Sequence, residues 1–148
     1  MDLVKPPTKS NNYLVTTSSK DGTYNPCEVM TVTVKTLTED GKYLGLLLYA
    51  VEDSGDKTFK TGQWILPKSD NPKFWTPPVC QGKAVMHKNA GVKHFSHSFK
   101  FQAPKKGRGP IRFRALVKHG ETNGGSFFWP SQDVVLQEAT NPPKSAIW

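Results

Sequence analysis

The chain has 148 residues, with 20 Lys plus Arg against 12 Asp plus Glu for a formal charge of +8. That length suits one domain with one core, and no run approaches the roughly 20 apolar residues of a membrane-spanning helix. Twelve Gly and twelve Pro favour turns and short strands over long helices, while eight Phe, four Trp and four Tyr can each bury a large area, so an aromatic-rich all-β core is expected.

Residues 1–12, which carry Pro6-Pro7, are expected to form an extended N-terminal arm. Tyr13–Thr17 reads as a first short strand and Lys20-Asp21-Gly22 as a turn. Within Cys27–Leu37, Met30, Val32 and Val34 alternate with Thr31, Thr33 and Lys35, the period of a half-buried strand. Asp40-Gly41 supplies turn chemistry. Tyr43–Val51 follows as an apolar run expected to be a central strand covered on both faces; Gly45, the short length and the flanking turns speak against a helix.

Between 52 and 82, Gly55, Gly62, Pro67, Pro72, Pro77 and Pro78 interrupt pieces such as Gln63-Trp64-Ile65-Leu66, which predicts loops and edge strands. Lys83–His87 is a further strand. Lys93–Phe101 places Phe95, His97, Phe99 and Phe101 on one face, with His94, Ser96, Ser98 and Lys100 on the other. A basic tip at 104–110 leads into Ile111–Lys118, where Ile111, Phe113, Ala115 and Val117 point inward, and the two runs are expected to pair as a hairpin-like unit. Strands at Ser126–Trp129 and Asp133–Glu138 precede a Pro-rich tail over 140–148. About eight strands with turns between them predict a two-sheet antiparallel β-sandwich domain over 13–139.

The basic balance directs attention to polyanions: sulfated glycan, anionic lipid, lipopolysaccharide or nucleic acid. Lys105, Lys106 and Arg108 share the tip, Arg112, Arg114 and Lys118 share the outward face of the next strand, and Lys100 lies on the strand before. Side by side they would form a continuous polyanion-binding patch whose several charges act together in a salt-dependent way. A solvated sheet face with edge-protecting lysines is the competing reading. Trp75 and Trp129, flanked by Pro or turn residues, are candidate sugar-stacking platforms or else local core plugs. Nucleic acid is disfavoured, because the aromatic residues alternate inward while the basic ones face out, leaving no shared stacking face.

Catalytic chemistry finds little footing. His94 and His97, three apart on a strand, point to opposite faces and cannot converge on one metal ion. His87 and His97 read as hydrogen-bonded structural histidines. No Ser or Cys sits in a nucleophile motif, Gly124-Gly125 is too short to cradle a phosphate, and acids such as Glu39-Asp40 and Glu52-Asp53 lie in turn segments. Neither an enzyme nor a cofactor nor a metal is expected. Cys27 and Cys80 are too far apart for a C-x-x-C motif, which leaves one structural disulfide or two buried thiols.

From about Tyr24 to Glu138 the order of these segments resembles the reeler domain family. Tyr24-Asn25-Pro26 leading into Val29-Met30-Thr31-Val32 is similar to the family's Tyr-x-Pro-Gly before a strand of alternating Val and Thr. Gly45-Leu46-Leu47-Leu48-Tyr49-Ala50 resembles its Gly-Phe-Leu-Leu-x-Ala strand, and Cys80 followed by Val85-Met86-His87 its Cys and Val-Thr-His. Phe99-Lys100-Phe101-Gln102-Ala103-Pro104, with Ile111, Phe113 and Ala115 after it, is similar to its Phe-x-Trp-x-Ala-Pro and is the most specific match. Here Phe101 stands where the family has Trp, Cys27 where it has Gly, and the family's Cys-bearing amino-terminal segment is missing.

The resemblance implies an immunoglobulin-like sandwich, an extracellular setting and no enzymatic activity. A secreted chain would have lost its signal peptide, since Met1-Asp2-Leu3-Val4-Lys5 is polar and Met1 would then be an added start. Cys80 matches a family disulfide position, and with the secreted setting this leads to the expectation of a Cys27–Cys80 bond. The function expected is a non-catalytic recognition module, of innate-defence or antimicrobial kind, that binds an anionic glycan, lipopolysaccharide or other polyanion. The alternative is an extracellular structural or protein-interaction domain.

Overall fold

The computed structural model describes residues 8–10, 12–37, 42–43, 45–53, 60–66, 74–76, 82–87, 93–94, 96–119, 126–130 and 134–139. Among them are 14 strands and no helix: β1 (Thr8–Ser10), β2 (Tyr13–Thr17), β3 (Thr23–Tyr24), β4 (Val29–Thr36), β5 (Lys42–Tyr43), β6 (Gly45–Glu52), β7 (Gln63–Ile65), β8 (Phe74–Trp75), β9 (Ala84–His87), β10 (Lys93–His94), β11 (Ser96–Gln102), β12 (Ile111–His119), β13 (Ser126–Pro130) and β14 (Val134–Glu138). The count exceeds the expected eight or so because two- and three-residue strands finish the sheet edges.

One sheet runs β1-β13-β12-β6-β9-β8, with β14 beside β12 and β3 beside β14; the second runs β2-β4-β11-β7, and β10 and β5 form a separate pair. Pairing is antiparallel except at β1 with β13 and β14 with β3. The core fills the space between the two sheets, as in an immunoglobulin-like sandwich. From one side come Met30, Val32 and Val34 of β4 with Phe99 and Phe101 of β11; from the other come Leu46, Leu48 and Ala50 of β6 with Ile111, Phe113, Ala115 and Val117 of β12. Those of β4, β11 and β12 are the residues whose period of two marked them as inward, since alternate side chains of a strand leave opposite faces.

Aromatic rings span the gap between sheets. Tyr13 stacks on Phe128 with centroids 5.7 Å apart, Phe74 meets Phe99 edge-on at 5.1 Å, and Phe113 meets both Phe101 at 5.1 Å and Trp64 at 6.1 Å. Each such pair adds about 0.5–1.5 kcal/mol beyond its buried area.

Two expectations about pairing need correction. Strand β11 hydrogen-bonds to β4 and β7, whereas β12 hydrogen-bonds to β6, β13 and β14, so the two are not a hairpin. Residues 103–110 carry the chain from one sheet across to the other, and Phe101 and Phe113 face each other through the core. Strand β6 is central as expected, between β12 and β9, but on its outer side Val51 is buried while Leu47 and Tyr49 are partly exposed, so that face is not covered along its whole length.

Candidate functional site

Three segments converge at one end of the sandwich. The first is the turn after Tyr24. Glu28 donates its backbone N–H to the Asn25 carbonyl at 3.0 Å, and Cys27 adopts a positive φ of 63°. Pro followed by a residue of positive φ fits a type II turn, whose third position favours Gly; this is where the resembling family has Gly. The turn is fastened to the chain entering the basic tip, because Cys27 N–H donates to the Pro104 carbonyl at 3.0 Å and Ala103 N–H to the Glu28 carbonyl at 2.8 Å.

The second segment is the tip itself. The Glu138 carboxylate accepts the Gly107 N–H at 3.1 Å and the Gly109 N–H at 2.9 Å. The Gly109 N–H, followed by that of Gly107, holds this carboxyl below the ordinary range despite its partial burial. Tyr24 donates its hydroxyl to the Gly109 carbonyl at 2.5 Å, and burial, reinforced by the nearby Glu138 charge, pushes the phenol well above its ordinary pKa. The tip is therefore a pinned projection.

The third segment is Lys60–Gln63. Gly62 has φ of 72°, and any Cβ there would run into the Phe101 ring, so only glycine lets this piece lie flat against β11. Trp64 N–H donates to the Gly82 carbonyl at 2.8 Å, which brings Lys83 alongside.

Between these segments lies a cleft of about 540 Å³. Among the described residues its cations are Lys60, Lys83, Lys105 and Arg108 and its one carboxylate is Glu52; Thr61, Gln63 and Gln102 add neutral polar groups, and Cys27 contributes to the wall. Arg108 Nη1 lies 3.6 Å from Glu52 Oε1, Lys83 Nζ 3.5 Å from the Gly62 carbonyl, and Lys60 Nζ 5.3 Å from the centre of the Tyr49 ring. Such a lining can hold an anionic group by charge and orient the rest of a ligand through amide and hydroxyl hydrogen bonds.

The sequence-derived basic residues divide into three places. Lys105 and Arg108 line the cleft, and Lys106 is exposed beside them on the tip. Arg112, Arg114 and Lys118 leave the outer face of β12, where Arg112 Nε is bonded to Asp53 Oδ1 at 3.0 Å, Arg114 stands opposite Tyr49 and Lys118 opposite Gly45. Lys100 leaves the outer face of the other sheet, where its ammonium donates to Thr31 Oγ1 at 2.8 Å, so the patch does not run continuously from it to Arg114. Lys60 and Lys83 were not singled out from sequence, because they sit in or beside the irregular 52–82 stretch and meet the tip only through tertiary pairing.

Trp75 belongs to β8 opposite Met86 and Trp129 to β13 opposite Lys9, but their side chains lie outside the described residues, as does Phe95. The His97 ring packs against Phe74 at 4.8 Å. Among the described residues no group of three His, Cys, Asp or Glu could hold a metal ion, and no helix is long and apolar enough to cross a membrane. No disulfide is seen among the described residues: Cys27 is a free thiol there, and Cys80, its expected partner, lies outside them. Cys27 occupies the positive-φ turn position, where the resembling family has Gly.

The sequence model of the reeler domain matches residues 3–142. A crystal structure of the human F-spondin reeler domain superposes with a TM-score of 0.72 at 14% identity, covering 90% of this chain and 92% of that one. A crystal structure of the Reelin-N domain of F-spondin gives 0.70 at 15% identity over 90% of each chain. A second human F-spondin reeler fragment gives 0.69 at 14% identity, covering 92% of this chain and 97% of that one. These structural likenesses speak for the fold. No curated protein matches the sequence.

Proposed function

The chain belongs to the reeler domain family, and from that premise we propose that it is a non-catalytic recognition module of extracellular kind that binds an anionic glycan or lipid through the basic cleft. The observation that carries this reading is the convergence of Lys60, Lys83, Lys105 and Arg108 on one concave site at the end of the sandwich. Concavity concentrates the field of several cations, and several weak exposed contacts made together give a binding free energy that no single one supplies. Arg114 and Lys118 on the adjoining sheet face extend positive potential away from the cleft, which suits a ligand longer than one unit. A role in defence or in the matrix fits such a ligand.

Heparin retention tests the reading. The protein is expected to elute only above about 0.15 M salt, the physiological value, and anionic vesicles tested in parallel separate a glycan from a lipid source. Passage through the column at physiological salt, with no vesicle binding, overturns it. A protein-interaction module is the second reading, favoured by Val29 and Ile65, which are 52% and 44% exposed on the outer face of the four-stranded sheet.

A further inference from the structure

Glu52 ends strand β6 and Asp53 follows it; each carboxylate faces an arginine of the basic region, yet the two pairs differ in kind. Asp53 Oδ1 accepts from Arg112 Nε at 3.0 Å, both side chains are about one-fifth exposed (19% and 22%), and Asp53 N–H donates to the Pro110 carbonyl at 2.8 Å. That pair is built into the end of the β6–β12 pairing. Glu52 Oε1 is 3.6 Å from Arg108 Nη1, with the Arg108 side chain 59% exposed. A long contact to an exposed, rotamer-rich arginine is weakly held and easily exchanged for another anion.

We propose that Glu52 is the resident anion of the cleft: its carboxylate engages Arg108 in the ligand-free protein and yields that arginine when an anionic group enters, so Glu52 sets how strongly anionic a ligand must be. The inference rests on the anion-binding reading of the cleft and adds its selectivity. Backbone pairing fixes the geometry, because Glu52 stands opposite Ile111 in the β6–β12 register, three residues beyond Arg108, and so is held within reach of the tip. A ligand with a single charge exchanges one carboxylate for another at Arg108, meets the repulsion of Glu52 and gains little. A ligand with several acidic groups also engages Lys60, Lys83 and Lys105, which more than offsets the displaced pair. The partner chemistry is therefore a multiply charged acidic oligosaccharide segment, in preference to a single sulfate or carboxylate.

The test uses the whole chain, a heparin-derived hexasaccharide and inorganic sulfate, measured by calorimetry on wild type and Glu52→Gln, which keeps the side chain's shape and removes its charge. Hexasaccharide affinity is expected to rise about threefold to tenfold, in line with the small worth of an exposed ion pair. The wild type's discrimination against sulfate should narrow in the same variant. Unchanged or weaker hexasaccharide binding by a folded Glu52→Gln protein overturns the role of Glu52. If that variant does not fold, a crystal structure of wild type with the hexasaccharide decides: Arg108 turned from Glu52 to the ligand supports the exchange, and a persistent Glu52–Arg108 pair beside a bound ligand overturns it. Wild type that heparin does not retain overturns the parent reading, whereas retained wild type with an unaltered Glu52→Gln variant overturns only this inference.

Discussion

The carboxylate of Glu138, in the last strand, accepts the backbone N–H of Gly109, 29 residues earlier, at 2.9 Å. This one side chain ties the basic tip to the sandwich, because it also accepts from Gly107 and lies 3.4 Å from the Tyr24 hydroxyl. Glu138→Ala is expected to lower stability by about 1 kcal/mol, the net worth of a hydrogen bond in a partly exposed setting, and to raise hydrogen exchange at Gly107 and Gly109. Its carboxyl is held below its ordinary value of 4.5 in the folded chain. The stability it adds is therefore fully present above that value and is lost as pH falls through the lowered folded pKa. Acid titrations of wild type and Glu138→Gln should diverge only above the lowered pKa and converge below it; a constant difference at every pH would contradict the assignment.

Gly62 and Gly22 separate packing from backbone conformation. Both have positive φ, 72° and 79°, but a Cβ on Gly62 strikes the Phe101 ring and one on Gly22 meets nothing within 4 Å. Gly22→Ala is expected to cost about 1 kcal/mol, the left-handed penalty alone. Gly62→Ala should cost about 1–3 kcal/mol more, because the core must also give way. Urea unfolding of the two variants checks the order, and equal midpoints would show that residues 60–63 do not lie against Phe101.

How far the sequence speaks follows from what each signal reports. Alternation placed Met30, Val32, Phe99, Phe101, Ile111 and Phe113 in the core, because the period of two is a property of one strand by itself. It is silent on which strand is the neighbour. The eight residues 103–110 can turn a hairpin or cross between sheets with the same inward and outward pattern at either end, so Lys100 was set beside Arg114 when the core lies between them. The four cleft cations come from three stretches, and Lys60 and Lys83 carry no periodic signal, so their meeting is legible only from tertiary hydrogen bonds such as Trp64 N–H to Gly82. One missed feature was readable: a residue following Pro26 where the resembling family has Gly foretells the positive φ of Cys27.

His87 closes the end of the β6–β9 pair with its side chain. Its Nδ1 lies 3.1 Å from Leu46 N and 3.2 Å from Leu46 O, over Gly45, where a Cβ would approach the imidazole at 3.0 Å. The fully buried Leu46 thus has its N–H satisfied by a ring nitrogen. His87→Ala leaves that donor unpaired and is expected to cost about 1–3 kcal/mol, with Gly45→Ala destabilising as well by displacing the ring. Thermal melting measures both, and a neutral His87→Ala would show that water replaces the imidazole without loss.

The division of the basic residues between two outer faces and a cleft makes their contributions to polyanion binding unequal. Lys83 and Lys105 line the cleft, make no ion pair among the described residues and have no role in the core, so Lys83→Glu with Lys105→Glu should leave the melting temperature nearly unchanged. Surface changes of this kind usually fall within about 0.5 kcal/mol. Each reversal replaces an attraction by a repulsion at the site, so the pair is expected to weaken heparin affinity by about tenfold or more and to flatten its salt dependence. Lys100→Glu reverses a charge on the outer face of the four-stranded sheet, outside the cleft lining, where the ammonium is bonded to Thr31, and should weaken affinity by less than the cleft pair does. Arg112→Glu is a poor probe of the site, because it places a second carboxylate against the partly buried Asp53 and should lower stability before it reports on binding. Equal losses from the cleft pair and from Lys100 would mean that the ligand responds to net charge alone, and the cleft would then be no more than one part of a uniformly basic surface.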